Sequence, residues 1–322
     1  MKTEERSMDE ENYQRIRQKL QESFEKQEYE QGLIIAKEIK EKFPDHASAA
    51  YFNLAFFQAQ LNLIDDTVDT LKEGYRKGLW WDESAIRMFP NFDQLIQHDE
   101  FNEVVNNYFK RYKKIREATS FEWEVCTPEN FDSSQKYPAL FALHQGAGNI
   151  EVAKQNWKSA LEHDLFLALP QSSQIVEPNR FTWLDIESGL KELNEMYSQI
   201  LTKYQIDLTK VFLSGFSIGG TLALEATFSQ PQFSVKGCIV VNPTFISPYS
   251  IPRNFERAKK DGVKCCILVG TKDPSYEQIK EFISLLNQEN VENQVYEIPE
   301  LAHAFPDNFN EILAEMTDFM RA

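Results

Sequence analysis

The chain has 322 residues and a formal net charge of −16, which disfavours nucleic acid and anionic membranes as partners because phosphate contacts need a basic surface. Its length predicts two domains, since a single hydrophobic core stops growing near about 250–300 residues. Apolar residues make up 42% of the chain, but no run approaches the roughly 20 in a row that a membrane span requires.

The first third of the chain, from about Glu11 to Tyr112, predicts helices rather than strands. Apolar side chains recur there at helical spacing, for example at Ile16, Leu20 and Phe24. The chain starts with polar residues where a secretory signal has an apolar stretch, so we expect a protein that is not exported.

Two stretches of this region share a weak self-similarity at an offset of 35 residues. The matching positions are Gly32, Ala36, Ile39 and Pro44 in the first stretch and Thr67, Leu71, Gly74 and Leu79 in the second. Ahead of the second stretch, Tyr51, Leu54 and Ala55 lie where a tetratricopeptide repeat has Trp, Leu and Gly. Residues 12–80 therefore resemble degenerate tetratricopeptide helix pairs, with a generic helical bundle as the alternative.

A basic run, Lys110–Arg116, follows with five bases in seven residues. We interpret it as a solvated helix end, where cations complement exposed carbonyl groups. Beyond it the pattern changes, and strand-like runs alternate with helical ones. The sequence therefore predicts a helical domain over 1–117 and a second domain over 118–322.

The second domain predicts an α/β fold with a mostly parallel sheet flanked by helices, and any antiparallel pair at its beginning. The strand-like runs are Phe121–Thr127, Tyr137–Leu143, Asp164–Leu169, Lys210–Ser214, Val235–Val241, Lys264–Gly270 and Asn293–Ile298. Helical segments are expected near 150–162, 184–203, 218–229, 252–261, 275–288 and 307–320.

A sharp turn between a strand and a helix is predicted at Ser217. The residues two before and two after it are Gly215 and Gly219, which gives the spacing G-x-S-x-G. A nucleophile elbow has this spacing because its serine takes a strained backbone conformation and its neighbours must lack side chains. Ser217 is the candidate nucleophile.

A serine needs a base to take its proton and an acid to orient that base, in the chain order Ser, acid, His. Of the five histidines only His303 follows Ser217, and it lies in a loop after the last strand-like run. Among ten carboxylates between them, Asp273 stands just after a buried strand, where catalytic groups gather in parallel sheets. Glu277 is the second candidate, and an N-cap role is the alternative for Asp273.

The oxyanion of a tetrahedral intermediate needs backbone N–H donors. One donor is expected from Ile218, directly after the nucleophile, and the other from Gly146 or Gln145 in the loop after an earlier strand. We interpret His144 in that loop as a structural residue rather than a second base.

The cysteines predict a reducing compartment. Cys126, Cys238, Cys265 and Cys266 all fall in strand-like runs, which favours buried, reduced thiols and a cytoplasmic protein. Because Cys265 and Cys266 are neighbours in one strand, their side chains should point to opposite faces.

Residues 118–322 resemble α/β-hydrolases, in particular the small carboxylesterase and phospholipase-type serine hydrolases that include acyl-protein thioesterases. The resemblance rests on Asp207–Ser217, on Val269-Gly270 ahead of Asp273, and on His303 after a Tyr-Glu-Ile-Pro run. Two positions differ from the family pattern: the loop reads His-Gln-Gly instead of His-Gly, and Ile218 replaces the usual Gln or Met.

Aromatic residues near the predicted site are expected to line a pocket for a medium apolar acyl or aryl group, although some of them could belong to the core. The candidates are Trp157, Phe181, Trp183, Phe245 and Phe305. The helical half, with the exposed-looking pair Trp80 and Trp81, is expected either to cover this site or to bind a protein partner.

These observations predict a serine hydrolase that cleaves a small-molecule carboxylic ester or thioester through an acyl-enzyme on Ser217. No metal and no organic cofactor are expected, since the histidines and cysteines lack metal-ligand spacing. A peptidase on the same fold is one alternative. A helical-repeat adaptor with an inactive hydrolase half is the other.

Overall fold

The computed structural model describes residues 2–229, 234–244 and 254–322, and it describes residues 2–11 and 14 by their backbone alone. The chain forms two compact units. One comprises Met1–Ala118 together with Val176–Pro178, and the other comprises Thr119–Ile175 with Asn179–Ala322. We call them the helical unit and the α/β unit.

The helical unit consists of the helices that the apolar spacing predicts. They are α1 Lys2–Glu25, α2 Tyr29–Lys42, α3 Ala47–Gln60, α4 Ile64–Arg76, α5 Glu83–Arg87, α6 Phe92–Leu95 and α7 Asp99–Ala118. Helix α2 packs against α1 and α3, and α3 packs against α4. Gly32 allows the close approach of α2 to α3, because a Cβ atom there would lie 2.2 Å from the Phe57 ring. The tetratricopeptide resemblance stays a prediction.

The tryptophan pair of the helical unit is buried, contrary to the expectation from sequence. Trp80 and Trp81 are 5% and 4% exposed. The Trp81 ring packs 4.9 Å from the Tyr108 ring, and its Nε1 donates a hydrogen bond of 3.1 Å to Ser48 Oγ. The indole N–H thus has a partner in a half-buried serine, and a buried tryptophan needs such a partner.

The basic run is only in part a solvated helix end. Arg111 donates from Nη1 to the carbonyl oxygens of Tyr75 and Leu79, at 2.8 and 2.9 Å, where α4 ends. Its guanidinium carbon lies 3.5 Å from the centre of the Tyr75 ring. Lys110 and Lys114 are exposed, as the sequence predicts. Arg111 therefore caps another helix, because its planar head can serve two carbonyls and an aromatic face together.

The strands are β1 Glu122–Cys126, β2 Tyr137–Leu143, β3 Phe166–Gln171, β4 Ile175–Glu177, β5 Arg180–Phe181, β6 Ile206–Phe216, β7 Gly237–Val241, β8 Lys264–Gly270 and β9 Glu292–Ile298. The α/β unit contains all of them, except that Val176 and Glu177 of β4 belong to the helical unit. Its helices are α8 Ile150–Trp157, α9 Ile186–Lys203, α10 Ile218–Phe228, α11 Phe255–Lys260, α12 Tyr276–Gln288 and α13 Phe309–Arg321. Short 3-10 helices occur at Pro44–His46 and Lys158–His163.

The main sheet has the order β1-β3-β2-β6-β7-β8-β9. Strand β1 runs antiparallel to β3, and the other neighbours are parallel, which confirms the predicted fold class. The order changes direction at β2 and β6, so the loops that follow these two strands start side by side. In open α/β sheets, ligands bind at the carboxyl ends of strands at such a point.

Two apolar layers cover the sheet. The layer on one face contains side chains of α9, α10, α11 and α12, and the layer on the other contains side chains of α8 and α13. Along β6, Val211 and Leu213 belong to the first layer and Phe212 and Phe216 to the second. Burial on both faces explains why the inner strands are almost continuously apolar.

The four cysteines are free. Cys265 and Cys266 lie in opposite apolar layers, as alternation along a strand predicts. Cys238 and Cys265 face each other across β7 and β8 with their sulfur atoms 3.3 Å apart. Cys126 is only half-buried, which corrects the expectation that all four are core residues.

The hairpin of β4 and β5 has no counterpart among the predicted strands. These strands have three and two residues, too few for a periodic signal to stand out. In the part of the chain that the structure describes, no helix combines the length and the apolar character that crossing a membrane requires.

We expect Arg111→Met to destabilise the helical unit by about 1.5–3 kcal/mol, because two carbonyl groups at the end of α4 lose a charged donor. Lys114→Met, an exposed position on the same helix, should change stability by less than about 0.5 kcal/mol. Urea denaturation followed by circular dichroism compares the two variants. Equal stability of the two would show that the cap contributes nothing.

Candidate active site

The turn at Ser217 has the strained geometry that its glycines predict. Ser217 follows β6 and precedes α10, with φ of 58° and ψ of −128°. A Cβ atom at Gly215 would lie 2.3 Å from the carbonyl carbon of Gly219, and one at Gly219 would lie 2.4 Å from the carbonyl oxygen of His144. Any larger residue at either position would push α10 away from the sheet or from the loop after β2.

A chain of two hydrogen bonds links Ser217, His303 and Asp273. Ser217 Oγ lies 2.9 Å from Nε2 of His303, and Nδ1 of His303 lies 2.6 Å from Oδ2 of Asp273. With the Nδ1 proton donated to the carboxylate, Nε2 is left as an acceptor for the serine hydroxyl. The structure thus brings His303 together with an aspartate 30 positions and a serine 86 positions earlier in the sequence.

Asp273 is the carboxylate in contact with the histidine. Its side chain is fully buried, while the His303 side chain is 35% exposed. The second carboxylate oxygen, Oδ1, accepts a 2.7 Å hydrogen bond from the N–H of Ser275. Glu277 lies on α12 and is exposed. A buried carboxylate requires partners on both oxygens, and Asp273 has them.

Asn242 connects the loops that carry Asp273 and His303. It is fully buried at the end of β7, in a left-handed backbone conformation with φ of 42°. Its Oδ1 accepts from the N–H of Gly270 at 2.8 Å, and its Nδ2 donates to the carbonyl oxygen of Ala304 at 2.8 Å. A third contact, at 3.5 Å, reaches the carbonyl oxygen of Ala302. Both neighbours of His303 are therefore held by one side chain.

The loop after β2 lies against the start of α10. A Cβ atom on Gly146 would be 3.4 Å from Cγ2 of Ile218, so Gly146 and Ile218 are neighbours. Among the described residues, no backbone or side-chain acceptor is within hydrogen-bond distance of the N–H groups of Gln145, Gly146 or Ile218. Backbone N–H groups without a protein acceptor are what an oxyanion hole requires.

His144 shapes this loop rather than serving as a second base. Its Nδ1 donates to the carbonyl oxygen of Gln145 at 2.8 Å, and its Nε2 accepts from the N–H of Ser172 at 3.3 Å. The ring stacks on Trp183, whose Nε1 donates to the His144 carbonyl oxygen at 2.9 Å. Burial lowers the pKa of His144 to about 4, which keeps the ring neutral.

Thr244 is a further polar residue beside the nucleophile. Its Oγ1 lies 3.2 Å from Ser217 Oγ, and its N–H donates to the Ser217 carbonyl oxygen at 3.3 Å. The Thr244 carbonyl oxygen in turn accepts a hydrogen bond from the Thr221 hydroxyl.

Three of the expected pocket residues are buried. Trp157 and Trp183 are fully buried: Trp157 packs against Phe305 and Phe309, and Trp183 holds the loop after β2. Phe181 is also buried. An indole with no exposed surface cannot contact a substrate, so these assignments are corrected.

Phe305 is the half-exposed member of the expected set, and its ring lies 4.9 Å from that of Phe216. Phe216 in turn lies 4.8 Å from the His303 ring. Phe245, the remaining candidate, is outside the described residues.

Sequence reasoning missed Asn242 and Thr244, although a signal was present. Both follow the buried apolar strand β7, at its carboxyl end. The same rule, that functional groups gather where parallel strands end, had selected Asp273 after β8. Asn242 directly follows Val241, and Pro243 separates it from Thr244.

The low pKa of His144 predicts a loss of stability in mild acid. The unfolded chain takes up a proton on this residue below about pH 6.5, whereas the folded protein resists protonation down to about pH 4. Protonation of His144 therefore leaves the free energy of unfolding unchanged above pH 6.5 and lowers it as the pH drops toward 4. Between pH 7 and pH 5 this residue alone should cost about 2 kcal/mol.

Urea denaturation of the wild type and His144→Asn at both pH values measures this contribution. The variant should be the less stable at pH 7, and the gap between the two proteins should narrow by about 2 kcal/mol at pH 5. A gap that does not change with pH would contradict the neutral, buried state of His144.

Comparisons with known proteins agree with this fold. The family model for Phospholipase/Carboxylesterase matches residues 176–321. A crystal structure of an uncharacterized protein from Bacillus cereus ATCC 10987 is similar over 96% of this chain and 99% of its own, with a TM-score of 0.55 and 23% identity. Esterase PE8 is similar over 63% of this chain and 98% of its own, with a TM-score of 0.50 and 13% identity. No curated protein sequence matches the chain.

At these identities the two structural likenesses concern the fold, and the first of them extends over nearly the whole chain. The family match adds the chemistry, because this family consists of serine hydrolases of carboxylic esters. The α/β unit therefore has the α/β-hydrolase fold, and residues 176–321, a little less than half of the chain, are similar to the phospholipase/carboxylesterase family.

Proposed function

We propose that the chain is divided into two domains at residue 118 and that the second hydrolyses a carboxylic ester or thioester through an acyl-enzyme on Ser217. The observation that carries this proposal is the hydrogen-bond chain from Ser217 Oγ through His303 to Asp273, with lengths of 2.9 and 2.6 Å. A serine hydroxyl is unreactive at neutral pH without such a base.

In the first half of the reaction, Ser217 Oγ attacks the carbonyl carbon of the substrate while its proton moves to Nε2 of His303. The carboxylate of Asp273 stabilises the positive charge that forms on the imidazole ring. The backbone N–H groups of Ile218 and Gly146 bind the oxyanion, with Gln145 as the alternative second donor. His303 then protonates the leaving alcohol or thiol as the carbonyl double bond re-forms.

In the second half, water replaces the leaving group. His303 removes a proton from the water molecule as its oxygen attacks the acyl carbon, and the same N–H donors bind the second oxyanion. Collapse of this intermediate returns the proton from His303 to Ser217 Oγ and releases the carboxylic acid. Neither half requires a metal or an organic cofactor.

Asn242 has a positioning role in this proposal. Its amide holds Gly270, three residues before the acid, and the two residues that flank the base. A shift of either loop would lengthen the contacts that make the serine reactive, and errors of about 1 Å in such contacts can cost about 100-fold in rate.

The proposed substrate is a small molecule with an apolar acyl group, for which Phe305 supplies a half-exposed aromatic surface. We place the reaction in the cytoplasm, a location that the four free cysteines support. A protein partner of the helical unit stays a prediction. A peptidase is the nearest alternative, because the same groups can cleave amides.

A fluorophosphonate probe tests the proposed nucleophile. The wild type should form a single adduct on Ser217, and Ser217→Ala should lose the adduct and lower ester turnover by at least about 10⁴-fold. Ser214→Ala is the matched control, since Ser214 is buried in β6, and among the described residues its hydroxyl has a hydrogen bond to the Phe141 carbonyl oxygen alone. Absence of labelling in a folded protein would instead favour the inactive adaptor.

Nitrophenyl esters from acetyl to decanoyl, assayed beside a peptide nitroanilide, separate an esterase from a peptidase. We expect turnover of the esters, with a preference for medium chains, and little cleavage of the amide. Comparable rates on the amide would indicate a peptidase.

Asn242→Gly should lower kcat by about 10- to 100-fold with little change in KM, because it removes the side-chain bridge while glycine tolerates the left-handed backbone. Asn290→Gly is the matched control: Asn290 is exposed after α12 and also has a left-handed backbone, with φ of 56°. Steady-state kinetics of both folded variants make the comparison. A kcat of Asn242→Gly equal to that of the wild type would contradict the positioning role.

A further inference from the structure

Thr244 contacts the nucleophile itself, outside the set of three residues that perform the proton transfer. Its hydroxyl oxygen lies 3.2 Å from Ser217 Oγ, and either hydroxyl could in principle be the donor. The direction of this hydrogen bond follows from counting protons around the site.

The Ser217 hydroxyl has one proton, and His303 accepts it. In the neutral imidazole that acts as a base, a proton on Nδ1 of His303 is donated in a hydrogen bond to the buried carboxylate of Asp273, so Nε2, at 2.9 Å from Ser217 Oγ, is the acceptor. The serine proton therefore lies between Oγ and Nε2. For the contact between Ser217 and Thr244, the only remaining proton is that of the Thr244 hydroxyl. Thr244 is the donor and Ser217 Oγ the acceptor.

The elbow holds Thr244 in this position. The N–H of Thr244 donates to the Ser217 carbonyl oxygen, and the Thr244 carbonyl oxygen accepts from the Thr221 hydroxyl, one turn into α10. Pro243 precedes it and fixes its own backbone φ. These contacts hold the backbone of Thr244 beside the nucleophile, within reach of its hydroxyl.

The arrangement around Ser217 Oγ leaves one direction open for reaction. A tetrahedral hydroxyl oxygen has four directions: its bond to Cβ, its proton and two lone pairs. The proton points at His303, and one lone pair accepts from Thr244. The remaining lone pair is free to attack a carbonyl carbon.

We propose that Thr244 is a further catalytic residue, whose hydroxyl donates a hydrogen bond to Ser217 Oγ and stabilises the negative charge that develops there as the proton leaves for His303. This role rests on the proposed function. A hydrogen bond to a charged oxygen is stronger than one to a neutral hydroxyl, so the contact strengthens between ground state and transition state. No bond of Thr244 breaks, and its proton stays on its own oxygen.

The same hydroxyl acts when the acyl-enzyme is cleaved. Ser217 Oγ is then the leaving atom, and it carries negative charge again before it recovers a proton from His303. Removing the hydroxyl should therefore slow acylation and deacylation alike. A residue that merely contributed to substrate binding would change KM instead.

Thr244→Val removes the hydroxyl and keeps the shape of the side chain. We expect the second-order rate of Ser217 labelling by a fluorophosphonate, and kcat for a nitrophenyl ester, to fall by about 10- to 100-fold, the range for a hydrogen bond to a charged atom. Thr244→Ser keeps the donor and should recover both rates to within about threefold of the wild type. KM should stay within about twofold in both variants.

Thr317→Val is the control for a buried threonine that loses its hydroxyl. Thr317 lies on α13, and its Oγ1 has no hydrogen-bond partner among the described residues, so this variant should label at the wild-type rate. Thermal melting of each variant separates loss of catalysis from loss of fold.

Each outcome decides the role of Thr244. Unchanged labelling of Thr244→Val would overturn it, and so would Thr244→Ser variants as slow as Thr244→Val, since the methyl group rather than the hydroxyl would then matter. If Thr244→Val is unfolded at the assay temperature, the test depends on Thr244→Ser. Labelling of Thr244→Ser at the wild-type rate then supports the hydroxyl as the donor. A wild type that does not label at all would refute the proposed function and this role with it.

Discussion

The hydrogen bonds that join Ser217, His303 and Asp273 hold only while the carboxyl ends of neighbouring strands stay in register. Ser217 follows β6, Asp273 follows β8, and His303 follows β9, with β7 between the first two. The pairing of β8 with β9 runs to Gly270 opposite Ile298, so both loops leave the sheet at the same level. Residues close together in the sequence could not place these three side chains around one point. The parallel sheet, closed on both faces by apolar layers, is the constraint on which the site depends.

Burial sets the electrostatics of this edge. The Asp273 side chain has no exposed surface, and both of its oxygens accept hydrogen bonds from fixed N–H groups. A carboxylate in such surroundings interacts more strongly with its neighbours, because water screens it less. His144 is also buried but has no carboxylate partner, and burial lowers its pKa so that the ring stays neutral. Two histidines at one sheet edge therefore have different partners, and in the proposed mechanism these partners decide which of the two acts as the base.

The sequence predicted the seven strands of the main sheet and the Ser-acid-His order because both depend on local patterns: apolar runs, paired glycines and polar residues at strand ends. It was less successful where tertiary packing decides. Trp157 and Trp183 lie in a loop or at a helix end, where the sequence pattern does not separate core residues from pocket residues. Their packing shows that both belong to the core. Thr244 acquires its contact with Ser217 from the adjacency of β6 and β7, which no spacing in the sequence expresses.

The central claim is that Ser217 carries the acyl group during turnover, and intact-mass spectrometry tests it most directly. The protein is mixed with nitrophenyl butyrate, quenched in acid within the first turnovers, and its mass compared with that of untreated protein. We predict one added butyryl group, which peptide mapping assigns to Ser217, and no added group in Ser217→Ala. Product formation with no acyl adduct on Ser217, or with the adduct on another residue, would contradict the account.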